Sequence, residues 1–292
     1  NVTPIIFIPL REQFGLAYSQ LGLLVLINFF TQLLCDLLFS NAADKYGFRR
    51  FAVAAPALAF AGFILFALAP VLFPASPYTG FVIATVVFSG AGGLLEVLLS
   101  PIVNAIPTDE KTKAMSFLHA SYSWGFVVVV LLTSLLLTVF SRAAWPYIVL
   151  FWAILPLVDT LMFLRVPLAP GVPEEHRQGM KDLIGNPFFI AFFLIIAAGG
   201  AAENSVSQWA SSFIEKGIQM PKLLGDIVGV CGFALMMGLG RTAYGRFGRR
   251  WDLSQFMLTG NIAVAVCLLT AAFSPFPWLT LAAFAVCGFA VS

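Results

Sequence analysis

Apolar stretches of about 17 to 25 residues recur from one end of this chain to the other, separated by short charged islands, and that length carries an α-helix across a bilayer core. In hydrocarbon every backbone N–H and C=O must find its partner inside the protein, and a helix supplies those partners within its own segment. The runs predict a short helix at 1–10 and spanning helices near 20–41, 51–71, 79–105, 114–140, 145–165, 187–212, 224–244, 253–273 and 277–292. The expected fold class is therefore all-α and polytopic, with lipid as the solvent.

Composition agrees and closes off other classes. Charged residues make up 10% of the chain, against roughly 25% in a soluble domain. The net charge of +2 argues for no nucleic acid and no acidic partner. Cys35, Cys231, Cys267 and Cys287 each lie inside an apolar run, with no CxxC and no histidine at metal-ligand spacing, so they read as small buried hydrophobes. No metal and no cofactor are expected. With two histidines and no H-x-x-x-H, a membrane enzyme has little to work with. Asn1 rather than Met at the start, and a hydrophobic stretch running to Ser292, suggest a piece lacking most of a first helix and whatever follows the tenth.

The one long polar connection is 166–186, which holds Pro167, Pro170, Pro173, Glu174, Glu175, His176, Arg177, Lys181 and Asp182. It divides the chain into an N-terminal half at 1–165 and a C-terminal half at 187–292. Basic residues orient both. Lys45, Arg49, Arg50, Lys111, Lys113, Arg165, Arg177, Lys181, Arg241, Arg246, Arg249 and Arg250 fall on one set of loops, and only Arg11, Arg142, Lys216 and Lys222 on the other. The positive-inside bias puts the first set, and the N-terminus, in the cytoplasm.

An internal repeat supports the same layout. Asn41-Ala-Ala-Asp-Lys-Tyr-Gly-Phe-Arg-Arg50 after the second helix is echoed by Arg241-Thr-Ala-Tyr-Gly-Arg-Phe-Gly-Arg-Arg250 after the eighth, matching Gly47 with Gly248 and Arg49 with Arg250. The first copy, with Asp44, Lys45, Gly47, Arg49 and Arg50, resembles the G-x-x-x-D-R-x-G-R-R loop signature of the major facilitator superfamily. Ser40 replaces its first glycine and Phe48 its first basic residue. Two further stretches, Leu118-His119-Ala-Ser-Tyr122-Ser-Trp-Gly125 and Glu203-Asn-Ser-Val-Ser-Gln-Trp209, resemble patterns in the fifth and seventh helices of its fucose-permease-like, sugar-transporting branch. The resemblance implies two six-helix halves related by a parallel repeat, a secondary active transporter, and a midplane site lined by helices one, four, seven and ten.

An ionisable side chain at mid-bilayer costs on the order of 2.5–3.5 kcal/mol on insertion scales, so each needs a reason to be there. Asp36 shares a stripe of the second helix with Asn28, Gln32 and Ser40. Glu96 shares a face of the fourth with Ser89, Gly92, Gly93 and Ser100. Glu203 lies on the seventh with Gly199, Gly200, Ser207 and Ser211, beside Asn204, Gln208 and Trp209. The resemblance implies that Glu96 and Glu203 face each other across the halves. A carboxylate there can accept hydrogen bonds from sugar hydroxyls or, where desolvation favours the neutral acid, take up and release a coupling proton. The alternative for each is a structural carboxylate held by a helix partner. His119, with Tyr122 close by, is a candidate proton relay or simply a satisfied histidine. Trp209 and Trp124 are candidate stacking platforms for a sugar ring, though aromatics in membrane helices commonly serve packing.

Asn104 and Arg241, at the inner ends of the fourth and eighth helices, read as parts of a cytoplasmic gate with Asp44, Lys45, Gly47, Arg49, Arg50, Gly248, Arg249 and Arg250. Arg241 can pair with a carboxylate of the opposite half or snorkel to headgroups. The expected activity is proton-coupled alternating access by a monomer in a bacterial cytoplasmic membrane, carrying a sugar or similar small polar solute. Efflux of an amphipathic compound is the rival, with a non-transporting receptor behind it.

Overall fold

The computed structural model describes residues 3–168, 184–221, 223, 225–247 and 252–292, with backbone alone for 41, 43–45 and 253. Among them are ten α-helices: α1 (Thr3–Phe14), α2 (Tyr18–Tyr46), α3 (Phe48–Leu72), α4 (Pro77–Asn104), α5 (Lys111–Phe140), α6 (Trp145–Phe163), α7 (Pro187–Ser212), α8 (Gly232–Phe247), α9 (Leu253–Phe273) and α10 (Pro277–Val291). Eight helical segments are long and apolar enough to cross a membrane. Their outer faces carry the apolar side chains that a lipid solvent favours, among them Leu26, Leu38, Val71 and Phe273. The protein is an all-α polytopic membrane protein.

Helix boundaries follow local chemistry. Pro187 starts α7 behind Asn186, whose Oδ1 accepts from the Phe188 N–H at 3.0 Å. Asp252 caps α9 by accepting from the N–H groups of Ser254 and Gln255 at 2.8 and 3.2 Å. Gly47, at φ +84°, makes the sharp turn from α2 into α3, a backbone conformation that side chains with a Cβ resist. One stretch inside the run 224–244, and one just beyond the run 187–212, depart from regular α-helix. Phe213–Gly217, after α7, and Gly225–Cys231, before α8, are π-helical. Helix α1 also continues past the apolar run at 1–10, because its polar end finds partners. Glu12 pairs with Arg142 at 2.5 Å, and Gln13 Oε1 accepts from Trp145 Nε1 at 2.7 Å.

The chain forms two compact units. One comprises residues 6–109 and 136–175. Its centre is an aromatic nest of Phe14, Phe66, Phe81 and Trp145, with ring centroids 4.9 to 6.2 Å apart and mostly edge-to-face. Glycines bring its helices together. A Cβ on Gly62 would lie 2.6 Å from Phe88 Cβ, fixing α3 on α4, and one on Gly93 would lie 2.7 Å from Cys35 Cβ and 2.8 Å from the Gln32 carbonyl, fixing α4 on α2.

The other unit comprises residues 1–5, 110–135 and 176–292, so the first part of α5 falls in the same unit as α7 to α10. Phe233, Met237 and Cys287 are fully buried in it. Gly260 sits against the Ala290 carbonyl, bringing α9 onto α10.

Candidate functional site

The second unit holds a polar seam where α5, α7 and α8 meet. Arg241, on α8, donates from Nη2 to Glu203 Oε2 on α7 at 3.0 Å. Its Nη1 donates to Ser123 Oγ at 2.9 Å and to the His119 carbonyl at 3.3 Å, both on α5. Ser116 Oγ on α5 donates in return to the Arg241 carbonyl at 3.2 Å. The pair is only part-buried, with 14% of the Arg241 side chain and 20% of Glu203 exposed. Arginine suits the position because its planar fork serves a carboxylate on one side and a hydroxyl on the other at once.

This arrangement revises one expectation. The carboxylate that Arg241 meets is Glu203, from its own half of the sequence rather than the opposite one. The chain turns back between α7 and α8, which brings the two residues to one level of adjacent helices.

The remaining residues of α7 point in several directions. Asn204 donates from Nδ2 to the Gly200 carbonyl of its own helix at 2.9 Å, and Gln208 is buried. Trp209, six residues after Glu203, is about 120° away around the helix. It lines a pocket of about 200 Å³ with Val206, Phe213, Leu268 and Phe284, a nearly all-apolar wall. Tyr122 is exposed and stacks on Phe126 with centroids 6.4 Å apart.

One carboxylate escaped the sequence reading. Asp226, in the π-helical turns before α8, is 2% exposed, and it accepts hydrogen bonds from Ser134 Oγ of α5 at 3.0 Å and from Ser211 Oγ of α7. Its signal was an acidic residue at the very start of the apolar run 224–244, where it passes for loop. The hydroxyls that hold it, eleven and eight residues beyond Ser123 and Glu203, are visible only once the helices are side by side.

In the first unit, α2 and α4 run in the same direction and meet in register. Ser89 Oγ donates to Asn28 Oδ1 at 2.6 Å, and one turn on a Cβ at Gly92 would lie 2.9 Å from Gln32 Nε2. One turn further, Asp36 and Glu96 stand level on that crossing. Asp36 Oδ1 is buried with no hydrogen-bond partner among the described residues, and Glu96 is exposed. At the end of α4, Asn104 is exposed. Arg49 fans its guanidinium over the last carbonyls of α6, donating to Phe163 at 3.3 Å, Leu164 at 3.0 Å and Val166 at 2.8 Å. Arg50 is exposed beside it. The side chains of Asp44 and Lys45, and the residues Gly248, Arg249 and Arg250, lie outside the described residues, as does most of the connection 166–186.

Solved structures give the wider comparison. The chain is similar to the xylose transporter XylE from E. coli in an inward-open conformation, with 17% identity, a TM-score of 0.67, and 100% of this chain and 76% of that chain covered. Against FucP from E. coli in the outward conformation the values are 16% identity and a TM-score of 0.70, with 100% and 77% covered. Against the human organic anion transporter MFSD10 they are 15% and 0.54, with 94% and 70% covered. At these identities the likeness is one of fold. No curated protein sequence matches the chain. The description of the Major Facilitator Superfamily matches residues 1–292, the whole length given. The chain therefore belongs to the Major Facilitator Superfamily.

Proposed function

We propose that the protein is a secondary active transporter of a small polar solute, a sugar or related compound, working by proton-coupled alternating access between an N-terminal half at 1–165 and a C-terminal half at 187–292. The observation that carries the reading is the part-exposed Glu203–Arg241 pair inside a spanning segment, a charged hydrogen-bonding site that an apolar bundle has no packing reason to keep. Two proteins that share the fold, a D-xylose-proton symporter and the E. coli fucose:proton symporter, support the substrate class and the coupling ion. So does the resemblance of the Leu118–Gly125 and Glu203–Trp209 stretches to the fucose-permease-like branch.

In this reading Glu203 and Glu96 exchange protons or accept sugar hydroxyls, with Asp36 level with Glu96. Asn204, Gln208, Trp209, His119 and Tyr122 complete the solute and proton path. Arg49, Arg50, Asp44, Lys45, Gly47, Asn104, Arg241, Gly248, Arg249 and Arg250 form the cytoplasmic loop and gate. The protein acts as a monomer in a bacterial cytoplasmic membrane with its N-terminus inside. Counterflow and pH-gradient-driven uptake of labelled neutral monosaccharides into proteoliposomes test the proposal, and exchange of no monosaccharide would overturn it.

A second reading, efflux of an amphipathic compound, has one observation in its favour: Trp209 lines an apolar pocket rather than the Arg241 seam. Displacement of a bound lipophilic dye by candidate drugs, with no response to monosaccharides, would support efflux over sugar uptake.

A further inference from the structure

Arg142, Lys216, Lys222 and Arg11 are the basic residues of the sparsely charged loop set. Arg142 pairs with Glu12 at 2.5 Å and Lys216 with Glu215 at 3.1 Å, and Lys222 lies outside the described residues. Arg11 instead lies over the Tyr18 ring, 4.6 Å from its centroid, and meets no carboxylate among the described residues. Glu12 is its neighbour in sequence, but successive side chains on a helix point about 100° apart, and Glu12 is drawn to Arg142.

The Nε–H of Arg11 is buried with no acceptor among the described residues. Arg11 occupies the last turn of α1, where the carbonyl end of a helix favours positive charge. That field steadies the cation without supplying an acceptor at Nε, and a buried donor in this state calls for a partner from outside the protein. A guanidinium that rests its face on a ring keeps its in-plane N–H donors for another group. Nε and the neighbouring Nη form a two-donor edge whose spacing suits both oxygens of a carboxylate.

The surroundings select the source of that carboxylate. Every residue of α1 from Pro4 to Leu10 is buried, and Phe7 and Ile8, one turn before Arg11 on its face, are at most 2% exposed. A helix enclosed all round by protein is remote from lipid headgroups. Glu12 and Gln13, which follow, are exposed, so this end of α1 is within reach of the aqueous phase. A dissolved acid fits the position better than a phospholipid phosphate.

We propose that Arg11 binds the carboxylate of the transported solute, with Nε and one Nη on its two oxygens and Tyr18 fixing the plane of the guanidinium. The preferred cargo is then a sugar acid rather than a neutral sugar. The inference rests on the sugar-transport reading for the rest of the cargo, although the site itself can be measured by binding alone.

The experiment uses the full-length protein and probes matched except at C6: glucose with glucuronate, and galactose with galacturonate. Thermal stabilisation in detergent reads binding, and competition against labelled-monosaccharide counterflow in proteoliposomes reads transport. In wild type at least one uronate is expected to act at about tenfold lower concentration than its hexose, as a charge-assisted contact supplies. Arg11→Gln is expected to bring the two midpoints together, and Arg11→Lys, which keeps the charge and loses the fork, to retain only part of the preference. Equal midpoints for both pairs in wild type, no effect of either uronate, or a preference that survives Arg11→Gln would overturn the proposal. Stabilisation by phosphatidylglycerol that is lost in Arg11→Gln would assign the site to a headgroup and overturn it as well. A uronate that stabilises wild type and not Arg11→Gln, in protein that exchanges no monosaccharide, would uphold the Arg11 site and overturn the sugar-transport reading. Exchange of hexoses with no uronate preference would do the reverse.

Discussion

Arg241 and Glu203 stand 3.0 Å apart across the α7–α8 contact, and the same guanidinium reaches Ser123 of α5 at 2.9 Å. One side chain thus joins three helices inside the membrane, and truncating it leaves a carboxylate without its counter-charge. Surface ion pairs contribute about 0–1 kcal/mol, whereas breaking a buried pair costs about 3–5 kcal/mol. At 14% and 20% exposure, Arg241→Gln is expected to cost about 2 kcal/mol, between those limits. Thermal unfolding in detergent measures it. The double variant Glu203→Gln with Arg241→Gln should be more stable than Arg241→Gln alone, because it leaves no orphaned charge.

Gly93 sets the distance between α2 and α4. Gly93→Ala places a methyl group 2.7 Å from Cys35 Cβ and 2.8 Å from a backbone carbonyl, so the helices must separate at an overpacking cost of about 1–3 kcal/mol. Gly125→Ala, with nothing within 4 Å of the new Cβ, is the control and should leave the melting temperature unchanged or raise it.

Arg49 tests whether shape or charge holds the loop after α2. Its three bonds to the carbonyls of Phe163, Leu164 and Val166 satisfy the exposed end of α6. Arg49→Lys keeps the charge and loses the fork, and should cost nearly as much as Arg49→Ala, about 1 kcal/mol. Hydrogen exchange at 163–166 should rise in both variants. Equal protection in Arg49→Lys and wild type would show that charge alone suffices.

Gly47 turns the chain at φ +84°. Nothing lies within 4 Å of where a Cβ on it would stand, so Gly47→Ala tests backbone strain without a clash, and a cost of about 1–3 kcal/mol in thermal unfolding is expected. Gly47→Asn should cost about as much, since with ψ at 147° the residue lies outside the left-handed helical region that asparagine tolerates.

The spans were legible because the solvent imposes them. A run such as 187–212 must be helical wherever it meets lipid, and α7 occupies those residues. The polar stripes on single helices were legible for the same reason, since Asn28, Gln32 and Asp36 share a face by periodicity alone. What the sequence hid lies between helices. That Arg241 selects Glu203, that Ser134 and Ser211 hold Asp226, and that Trp209 turns toward Phe284 all depend on which faces meet, and one helix's period carries no information on its neighbour. The π-helical turns at 225–231 were hidden as well, because an apolar run has the same composition in α and π geometry.

In the proposed transport cycle Glu203 links proton movement to solute movement. Its most direct test compares the full-length wild type with Glu203→Gln in proteoliposomes, measuring labelled-monosaccharide counterflow and accumulation driven by a pH gradient side by side. Glu203→Gln is expected to keep counterflow and lose gradient-driven accumulation. Accumulation at the wild-type level in Glu203→Gln would contradict it.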